Sequence, residues 1–152
     1  NHTNKFMNNI IVINNTVVIL KHKLRDKDLK QIDKSRIFNV IAPFLETVIT
    51  EQFKNWHQLQ FVFAPNLKII KNNAFQNCHR LNKLIGDKIT EVQKFAFKEC
   101  YNLNQVNLSN VKKFNDHSMV SCGLQKIQNT CCKQLGDYVF KNCFQLQSLD
   151  FS

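Results

Sequence analysis

The residues best suited to chemistry in this sequence are its six cysteines and five histidines. Thiolates and imidazoles bind zinc, and a thiol beside an imidazole is the pair that a cysteine nucleophile requires. The adjacent cysteines Cys131 and Cys132 are poorly placed to chelate one ion together, and no second pair follows at zinc-finger spacing. The sequence therefore predicts no metal site.

Two histidines follow a thiol position or its equivalent, His57 after Trp56 and His79 after Cys78. Side chains of sequence neighbours rarely form such a pair, and no third group is placed to orient the imidazole as a base. Acidic residues are scattered, and no Gly-rich phosphate loop is present. We therefore expect no catalytic residue, no cofactor-binding residue and no metal ligand, and a protein that is not an enzyme.

The other four cysteines recur with the period of a sequence repeat. Residues 70–84 contain an Ala-Phe pair, a cysteine three residues later, and leucines three and six residues after the cysteine. The frame returns at 92–106 and 135–149, in a shortened copy at 114–127, and upstream at 48–62, where Trp56 replaces the cysteine. A period of about 22 residues with leucine-like positions indicates a solenoid of stacked coils.

Each repeat contributes positions that stack along the solenoid. One L-x-x-[LVI] ladder predicts the strands of a parallel sheet, and a second apolar ladder predicts an extended segment on the opposite side. Neighbouring strands lie about 4.8 Å apart, so equivalent side chains contact their copies in the next coil. The predicted aromatic spine is Phe53, Phe75, Phe97, Met119 and Phe140, and the predicted ladder of buried free thiols is Cys78, Cys100, Cys122 and Cys143. The expected fold is α/β and strand-rich, with about five coils of about 22 residues.

The frame Ile-x-x-x-Ala-Phe-x-x-Cys-x-x-Leu-x-x-[LVI] resembles the BspA-type leucine-rich repeats of bacterial and protist proteins, over about residues 37–151. The segments from Ala74 to Leu81 and from Ala96 to Leu103 carry the resemblance best. The resemblance implies a right-handed solenoid with a parallel sheet and short turns or helices opposite it. It also implies use in adhesion or protein–protein binding, without a catalytic residue.

Residues 1–36 depart from this frame and are predicted to cap the first coil. Two β-branched runs flank Asn14 and Asn15, which tolerate the backbone of a tight hairpin turn. Residues 21–36 fit either a short amphipathic helix or a degenerate first repeat. Such elements would cover the apolar end of the first coil, and a separate upstream module is the alternative. The solenoid is then expected at residues 37–152, truncated at its carboxy-terminal end within a strand.

The outward positions of the first strands form the predicted binding surface. In an L-x-x-L-x-L strand, the third and fifth positions point outward. Two phenylalanines and an isoleucine beside lysines and amides have the composition of an interface. The alternative is that the amino-terminal cap or a missing segment covers the phenylalanines. The predicted protein-binding residues are Phe61, Phe63, Lys83, Ile85, Gln105, Asn107, Lys126 and Gln128, and Ser148 and Asp150 continue the row.

Composition narrows the classes of partner. The formal net charge is +10, but the lysines are spread over variable repeat positions without a nucleic-acid-binding signature, so no specific nucleic acid is expected as a partner. The outward strand residues and the resemblance favour a protein partner. No apolar run approaches the about 18 residues of a membrane span, so this segment is not expected to insert. The predicted function is a non-catalytic protein-binding scaffold, and the alternative is a cell-surface adhesin-like module that binds host or matrix protein or glycan. The compartment stays open between an intracellular location, slightly favoured for the chain as given, and the cell surface.

Overall fold

The computed structural model describes residues 5–7 and 9–152, with side chains from residue 9 onward. Within these ranges the chain forms short strands joined by turns, and its one helical element is a 3-10 helix at Lys34–Arg36. The strands are β1 (Lys5–Met7), β2 (Ile10–Ile13), β3 (Thr16–Ile19), β4 (Asn39–Ile41), β5 (Thr47–Val48), β6 (Phe61–Phe63), β7 (Ile69–Ile70), β8 (Lys83–Ile85), β9 (Glu91–Val92), β10 (Gln105–Val106), β11 (Lys113–Phe114), β12 (Lys126–Gln128), β13 (Gln134–Leu135) and β14 (Ser148–Asp150). None of the described segments is a helix with the length and apolar character needed to span a bilayer.

The two predicted ladders are two sheets. The first strands of the coils belong to a seven-stranded sheet of order β1-β2-β3-β4-β6-β8-β10, and the second strands form a five-stranded sheet of order β13-β11-β9-β7-β5. Neighbouring coils pair in parallel, as Val62 does with Leu84 and Ile70 with Val92. The predicted strand-rich parallel solenoid is confirmed, with about six turns of about 22 residues and almost no helix.

Stacked phenylalanines fill the interior of the central coils. The ring of Phe75 lies 5.2 Å from that of Phe53 and 5.2 Å from that of Phe97, and all three side chains are 0% exposed. Full burial of each phenylalanine contributes about 1.5–3 kcal/mol, and each aromatic contact about 0.5–1.5 kcal/mol more. Met119 continues the buried column, whereas Phe140 is only partly buried. The predicted spine is therefore regular up to Met119 and looser in the last coil.

Each regular turn segment contains two residues in the left-handed backbone region. In one coil these are Asn73 and Asn77, with φ of 59° and 63°. Their backbone N–H groups donate to the next coil, from Asn73 to the carbonyl of Lys94 at 3.0 Å and from Asn77 to that of Lys98 at 2.9 Å. Across the turn segments, the residues with positive φ are Glu51, Asn55, Asn73, Asn77, Phe95, Glu99, His117, Ser121, Tyr138 and Asn142. With two left-handed residues four apart, alternate N–H groups of the segment donate to the next coil along the solenoid.

Asparagines before the cysteine position have a different role from the one expected. The sequence predicts that the amides of Asn55, Asn77 and Asn142 bond to turn backbone between coils. Instead, the Asn77 amide donates to Oδ1 of Asn55 at 2.8 Å, from side chain to side chain. All three residues have positive φ, between 59° and 66°. Asparagine is favoured here because it tolerates the left-handed region better than most residues with a side chain.

The amino-terminal segment forms a hairpin and an irregular coil. β2 and β3 pair in antiparallel fashion around Asn14 and Asn15, and β3 then pairs in parallel with β4. Lys23 bridges Thr47 of the second sheet, and the adjacent Leu24 is buried in the core. Residues 21–36 contain turns and the 3-10 helix, with no α-helix, and so they trace a degenerate coil. That residues 1–36 act as a cap, with the solenoid proper at 37–152, stays a prediction.

A buried carboxylate holds the degenerate coil together. Asp28 is 7% exposed and accepts hydrogen bonds from Nζ of Lys21 at 2.7 Å and from the backbone N–H of Arg25 at 2.8 Å. The Arg25 guanidinium lies 3.0 Å from the same carboxylate. Burial alone would raise the pKa of Asp28, but these hydrogen bonds and charges outweigh it and lower the pKa to about 2. The ionised form therefore stabilises the folded state.

The first sheet is interrupted late in the chain. β12 pairs with β14 in a separate two-stranded sheet and has no ladder to β10. The repeat lacks one residue between Cys122 and Leu124, where Gly123 makes the shortened turn. A Cβ on Gly123 would collide with the carbonyl oxygen of Tyr101. The sequence predicts one ladder of strands through β10 and β12, and this part of the prediction is wrong, because the sheet breaks at the coil that contains the shortened turn.

Candidate protein-binding surface

Four of the predicted surface residues lie together on two neighbouring strands. Phe61 and Phe63 on β6, and Lys83 and Ile85 on β8, are half-buried, while the residue between each pair is 2% exposed. Phe61 lies in register with Lys83, and Phe63 with Ile85. Alternation along a strand sends these four side chains to the face opposite the core. They therefore share the outer face of the seven-stranded sheet.

An apolar stripe continues from this pair of strands towards the amino terminus. Val18 lies in register with Ile41, Ile41 with Phe63, and Phe63 with Ile85. All four side chains are half-buried. We call Val18, Ile41, Phe63 and Ile85 the apolar stripe. Sequence reasoning missed Val18 and Ile41, because both lie in continuous apolar runs that do not show which side chains point outward.

The hairpin strand β3 forms the amino-terminal end of the apolar stripe. Because β3 pairs edge to edge with β4, the hairpin extends the sheet sideways. This arrangement differs from the alternative in which an amino-terminal cap covers Phe61 and Phe63. The hairpin instead contributes Val18 to the surface itself.

The polar end of the row begins on β10. Gln105 is exposed and lies in register with Lys83. Asn107 follows the end of the strand, where its amide donates to Oδ1 of Asp87 at 3.1 Å and its own Oδ1 accepts from the backbone N–H of Ser109 at 3.0 Å. Asn107 is thus held by a local turn instead of a strand. Its side chain already has partners within the protein.

The remaining predicted residues lie across the sheet break. Lys126 and Gln128 are exposed on β12 and lie in register with Ser148 and Asp150 on β14. The hydroxyl and backbone N–H of Ser152 lower the pKa of Asp150, which is therefore ionised at neutral pH. The structure thus brings the predicted row together as two groups, one of apolar residues, a lysine and amides on β6 to β10, and a polar one on β12 and β14.

The repeat-position cysteines have a structural arrangement. Each Sγ donates at 3.1 Å to a backbone carbonyl of the preceding coil, from Cys78 to Phe53, from Cys100 to Phe75, from Cys122 to Phe97 and from Cys143 to Met119. Burial raises the pKa of the Cys100 and Cys122 thiols far above the ordinary value, and raises that of Cys78 and Cys143. Such thiols stay protonated and unreactive at neutral pH. The predicted ladder of buried free thiols is confirmed.

The other candidate chemical groups are dispersed. Cys131 and Cys132 are free and half-buried. His57 stacks on His79 at 5.0 Å, and His79 stacks on Tyr101 at 5.2 Å, so these imidazoles form a column of rings along successive coils. Across the described residues, no three His, Cys, Asp or Glu side chains are grouped so that they could hold a metal ion.

A family of repeat proteins matches this sequence, in agreement with the solenoid fold. The model of the BspA type leucine rich repeat region matches residues 32–147 in six copies. The search of curated proteins found no match.

Three bacterial crystal structures share the fold at low identity. A leucine-rich repeat protein from Bacteroides ovatus is 16% identical, with a TM-score of 0.66 over 97% of this chain and 39% of its own. The Treponema pallidum leucine rich repeat protein is 19% identical, with a TM-score of 0.67 over 91% of this chain and 75% of its own. A leucine rich cell surface protein from Faecalibacterium prausnitzii is 17% identical, with a TM-score of 0.60 over 99% of this chain and 55% of its own.

This chain therefore spans about two fifths of the length of the Bacteroides protein and about half that of the Faecalibacterium protein. The family model, in contrast, covers most of this chain, from residue 32 to residue 147. The chain belongs to the BspA-type leucine-rich repeat family.

Proposed function

We propose that this chain is a non-catalytic protein-binding module that uses the outer face of its seven-stranded sheet. Leucine-rich repeats are a common scaffold for protein interaction and are typically non-catalytic. The observation that carries the proposal is the apolar stripe, four half-buried apolar side chains in register on four adjacent strands. Outward apolar residues in continuous rows mark interaction surfaces, whereas single exposed ones do not.

The apolar stripe and the polar residues beside it have the arrangement of a protein–protein interface, although the stripe is long enough for only part of one. Four strands about 4.8 Å apart give a stripe about 14 Å long, with Phe61 beside it. Lys83 and Gln105 lie next to Phe61 in the same register row and supply a polar rim. Interfaces combine an apolar centre with such a rim. The stripe therefore supports a protein partner more strongly than a small molecule or a nucleic acid.

The test replaces the two phenylalanines together. The chain is immobilised, proteins captured from a homogenate of the source cells are identified, and the dissociation constant of the purified partner is measured by calorimetry. Because aromatic residues at interface centres contribute about 2 kcal/mol or more, Phe61→Ser with Phe63→Ser should weaken binding by at least about tenfold. Ile69→Ser is the matched control, since Ile69 is also outward and half-buried but lies on the second sheet. Equal affinity of wild type and the double variant would refute the proposal, provided that circular dichroism shows both folded.

A second candidate is an adhesin-like surface module that binds glycan. The observation that favours it is a cleft of about 370 Å³ at the sheet break, lined by Arg80, Tyr101 and amides that include Asn102, Gln125 and Gln145. Planar amides both donate and accept hydrogen bonds, as sugar hydroxyls require, and an exposed tyrosine ring offers an apolar platform. The similar Faecalibacterium protein is described as a cell surface protein.

Two measurements separate the candidates. Surface biotinylation of intact source cells should label the protein if it is an adhesin, and labelling only after lysis would point to an intracellular scaffold. On a glycan array, the wild-type chain should bind a defined set of sugars that Tyr101→Ala loses. An array without signal above that of an unrelated protein would remove the glycan candidate and leave the protein-binding one.

A further inference from the structure

The regular coils are joined on their turn side by backbone hydrogen bonds, three from most turn segments and two, from Phe97 and Glu99, in one of them. At one boundary, the N–H groups of Glu51, Phe53 and Asn55 donate to carbonyls of the next coil at 3.1, 2.8 and 2.9 Å. The segment from Asn73 to Asn77 donates in the same way to the following coil. In this conformation alternate peptide units align, with the N–H group directed to one neighbour and the carbonyl to the other.

These hydrogen bonds are missing between the degenerate coil and the first regular coil. Among the residues that the structure describes, the carbonyls of Thr50, Gln52 and Lys54 accept no hydrogen bond. The equivalent donors, the N–H groups of Lys27, Leu29 and Gln31, also have no acceptor there. At later boundaries the equivalent N–H groups and carbonyls are hydrogen-bonded to each other, whereas here they are not.

The cause is the backbone of the degenerate coil. The bridge between Lys23 and Thr47 sets an offset of 24 residues, which places Lys27 and Gln31 at the positions of Glu51 and Asn55. Glu51 and Asn55 have φ of 61° and 66°, whereas neither Lys27 nor Gln31 has positive φ. Without the two left-handed residues, these three N–H groups form no hydrogen bond to the carbonyls of the next coil. The two coils pair on their strand side and separate on their turn side.

A cleft of about 690 Å³ opens where the turn segments separate. Its walls include Leu29 and Ile32 on one side and Thr50, Gln52 and Lys54 on the other, with Trp56 among the lining residues. The Gln52 side chain is 9% exposed, and its Oε1 is buried without a hydrogen-bond partner. A buried amide oxygen that lacks a donor is costly, and a ligand that supplies one relieves that cost.

We propose that this cleft binds a peptide segment of a partner protein, inserted between the two coils in the conformation of a regular turn segment. Its alternate N–H groups would donate to the carbonyls of Thr50, Gln52 and Lys54. Its carbonyls on the opposite edge would accept from Lys27, Leu29 and Gln31. The segment would thereby complete the missing hydrogen-bond ladder.

A polypeptide is the class of ligand that could bond both to the row of carbonyls on one side of the cleft and to the row of N–H groups on the other. Donors spaced at every second residue on one side, and acceptors with the same spacing on the other, are properties of a peptide backbone. The volume falls within the about 300–1,000 Å³ of ligand sites, and five residues span at most about 17 Å. Apolar side chains of the segment would contact Leu29, Ile32 and Trp56. Residues that tolerate positive φ, asparagine or glycine, are expected at two positions four apart.

The probe is a synthetic peptide with the sequence of residues 71–79, kept reduced, which contains both left-handed asparagines and the central phenylalanine. Trp56 is the sole tryptophan and lines the cleft, so its fluorescence reports occupancy directly. Saturable quenching or a spectral shift is expected. Methylation of the peptide nitrogen equivalent to Phe75 removes a donor and should weaken binding about tenfold. Methylation at the position of His79, whose N–H joins no coils, is the matched control and should leave affinity unchanged. No saturable change up to about 1 mM peptide, or equal weakening by both methylations, would overturn the proposal.

Variants of the protein distinguish this site from the outer face of the sheet. Gln52→Leu removes the unpartnered amide oxygen, so it should leave the melting temperature of the free protein unchanged or raised and weaken peptide binding severalfold. The double variant Phe61→Ser with Phe63→Ser should bind the peptide as wild type does. Unchanged peptide affinity in Gln52→Leu, or a loss in the double variant, would contradict a site in the cleft. The inference rests on other residues than the proposed function, so either can fail alone.

Discussion

Replacing Phe97 with alanine tests the packing on which the solenoid depends. The side chain is 0% exposed and its ring lies 5.2 Å from that of Phe75, with an interplanar angle of 2°. Removing a buried phenylalanine costs about 3–5 kcal/mol through lost transfer energy and the cavity left behind. The lost aromatic contact is part of that cost and contributes about 0.5–1.5 kcal/mol. Single domains have total stabilities of about 5–15 kcal/mol, so the loss is a large share of the total.

Urea unfolding followed by circular dichroism and by Trp56 fluorescence measures this change. Trp56 contacts Phe53 edge to face at 4.9 Å, so its fluorescence reports the amino-terminal coils, while circular dichroism reports the whole solenoid. In a repeat protein each coil is stabilised by its neighbours, so a defect in a central coil should lower the midpoint of both signals. The control is Phe144→Ala, because Phe144 is 86% exposed and should change stability by less than about 0.5 kcal/mol. A Phe97→Ala midpoint equal to that of the control would refute the proposed register of the spine.

Three further predictions follow from individual contacts. Cys131 and Cys132 should react with a thiol reagent in the native protein, and the other four of the six cysteines only on unfolding; more than two equivalents consumed by the native protein would contradict the buried ladder. Asp28→Asn should lower the free energy of unfolding at pH 7 by about 1–2 kcal/mol, allowing for solvent screening. Because the folded pKa is depressed to about 2, that difference should shrink as the pH falls from about 5 towards 2, and a difference independent of pH would exclude the ionic explanation. Gly123→Ala should destabilise the protein by about 1–3 kcal/mol in urea unfolding, since its Cβ meets the Tyr101 carbonyl, and an unchanged midpoint would show that the shortened turn can move.

Much of the fold could be predicted because the repeat places the same residue type in the same environment in every coil. Phe75 and Phe97 occupy equivalent positions and are both 0% exposed, and Cys78 and Cys100 make equivalent thiol bonds to the preceding coil. Stacking at about 4.8 Å makes each coil the environment of the next. One correct frame therefore predicts a whole column of side chains.

The candidate surface was harder to predict, because outward residues carry no repeat signal. Strand alternation predicts Phe63 and Ile85 as outward residues. Val18, in contrast, belongs to a hairpin strand whose pairing with β4 is not apparent from the sequence. The pairing of β3 with β4 places Val18 in line with Ile41. The outward positions carry different residue types in different repeats, so only the strand register in the structure shows which outward side chains are neighbours.

The sequence by itself determined the period, the buried columns and the family, since these depend on residue types repeated at constant spacing. The tertiary structure alone decided where that regularity fails. The sheet breaks at the coil that is shortened at Gly123, and a cleft lies beside the degenerate coil, where Lys27 and Gln31 lack left-handed backbone. Both features depend on backbone direction and on contacts between coils, which a linear pattern of residue types does not specify.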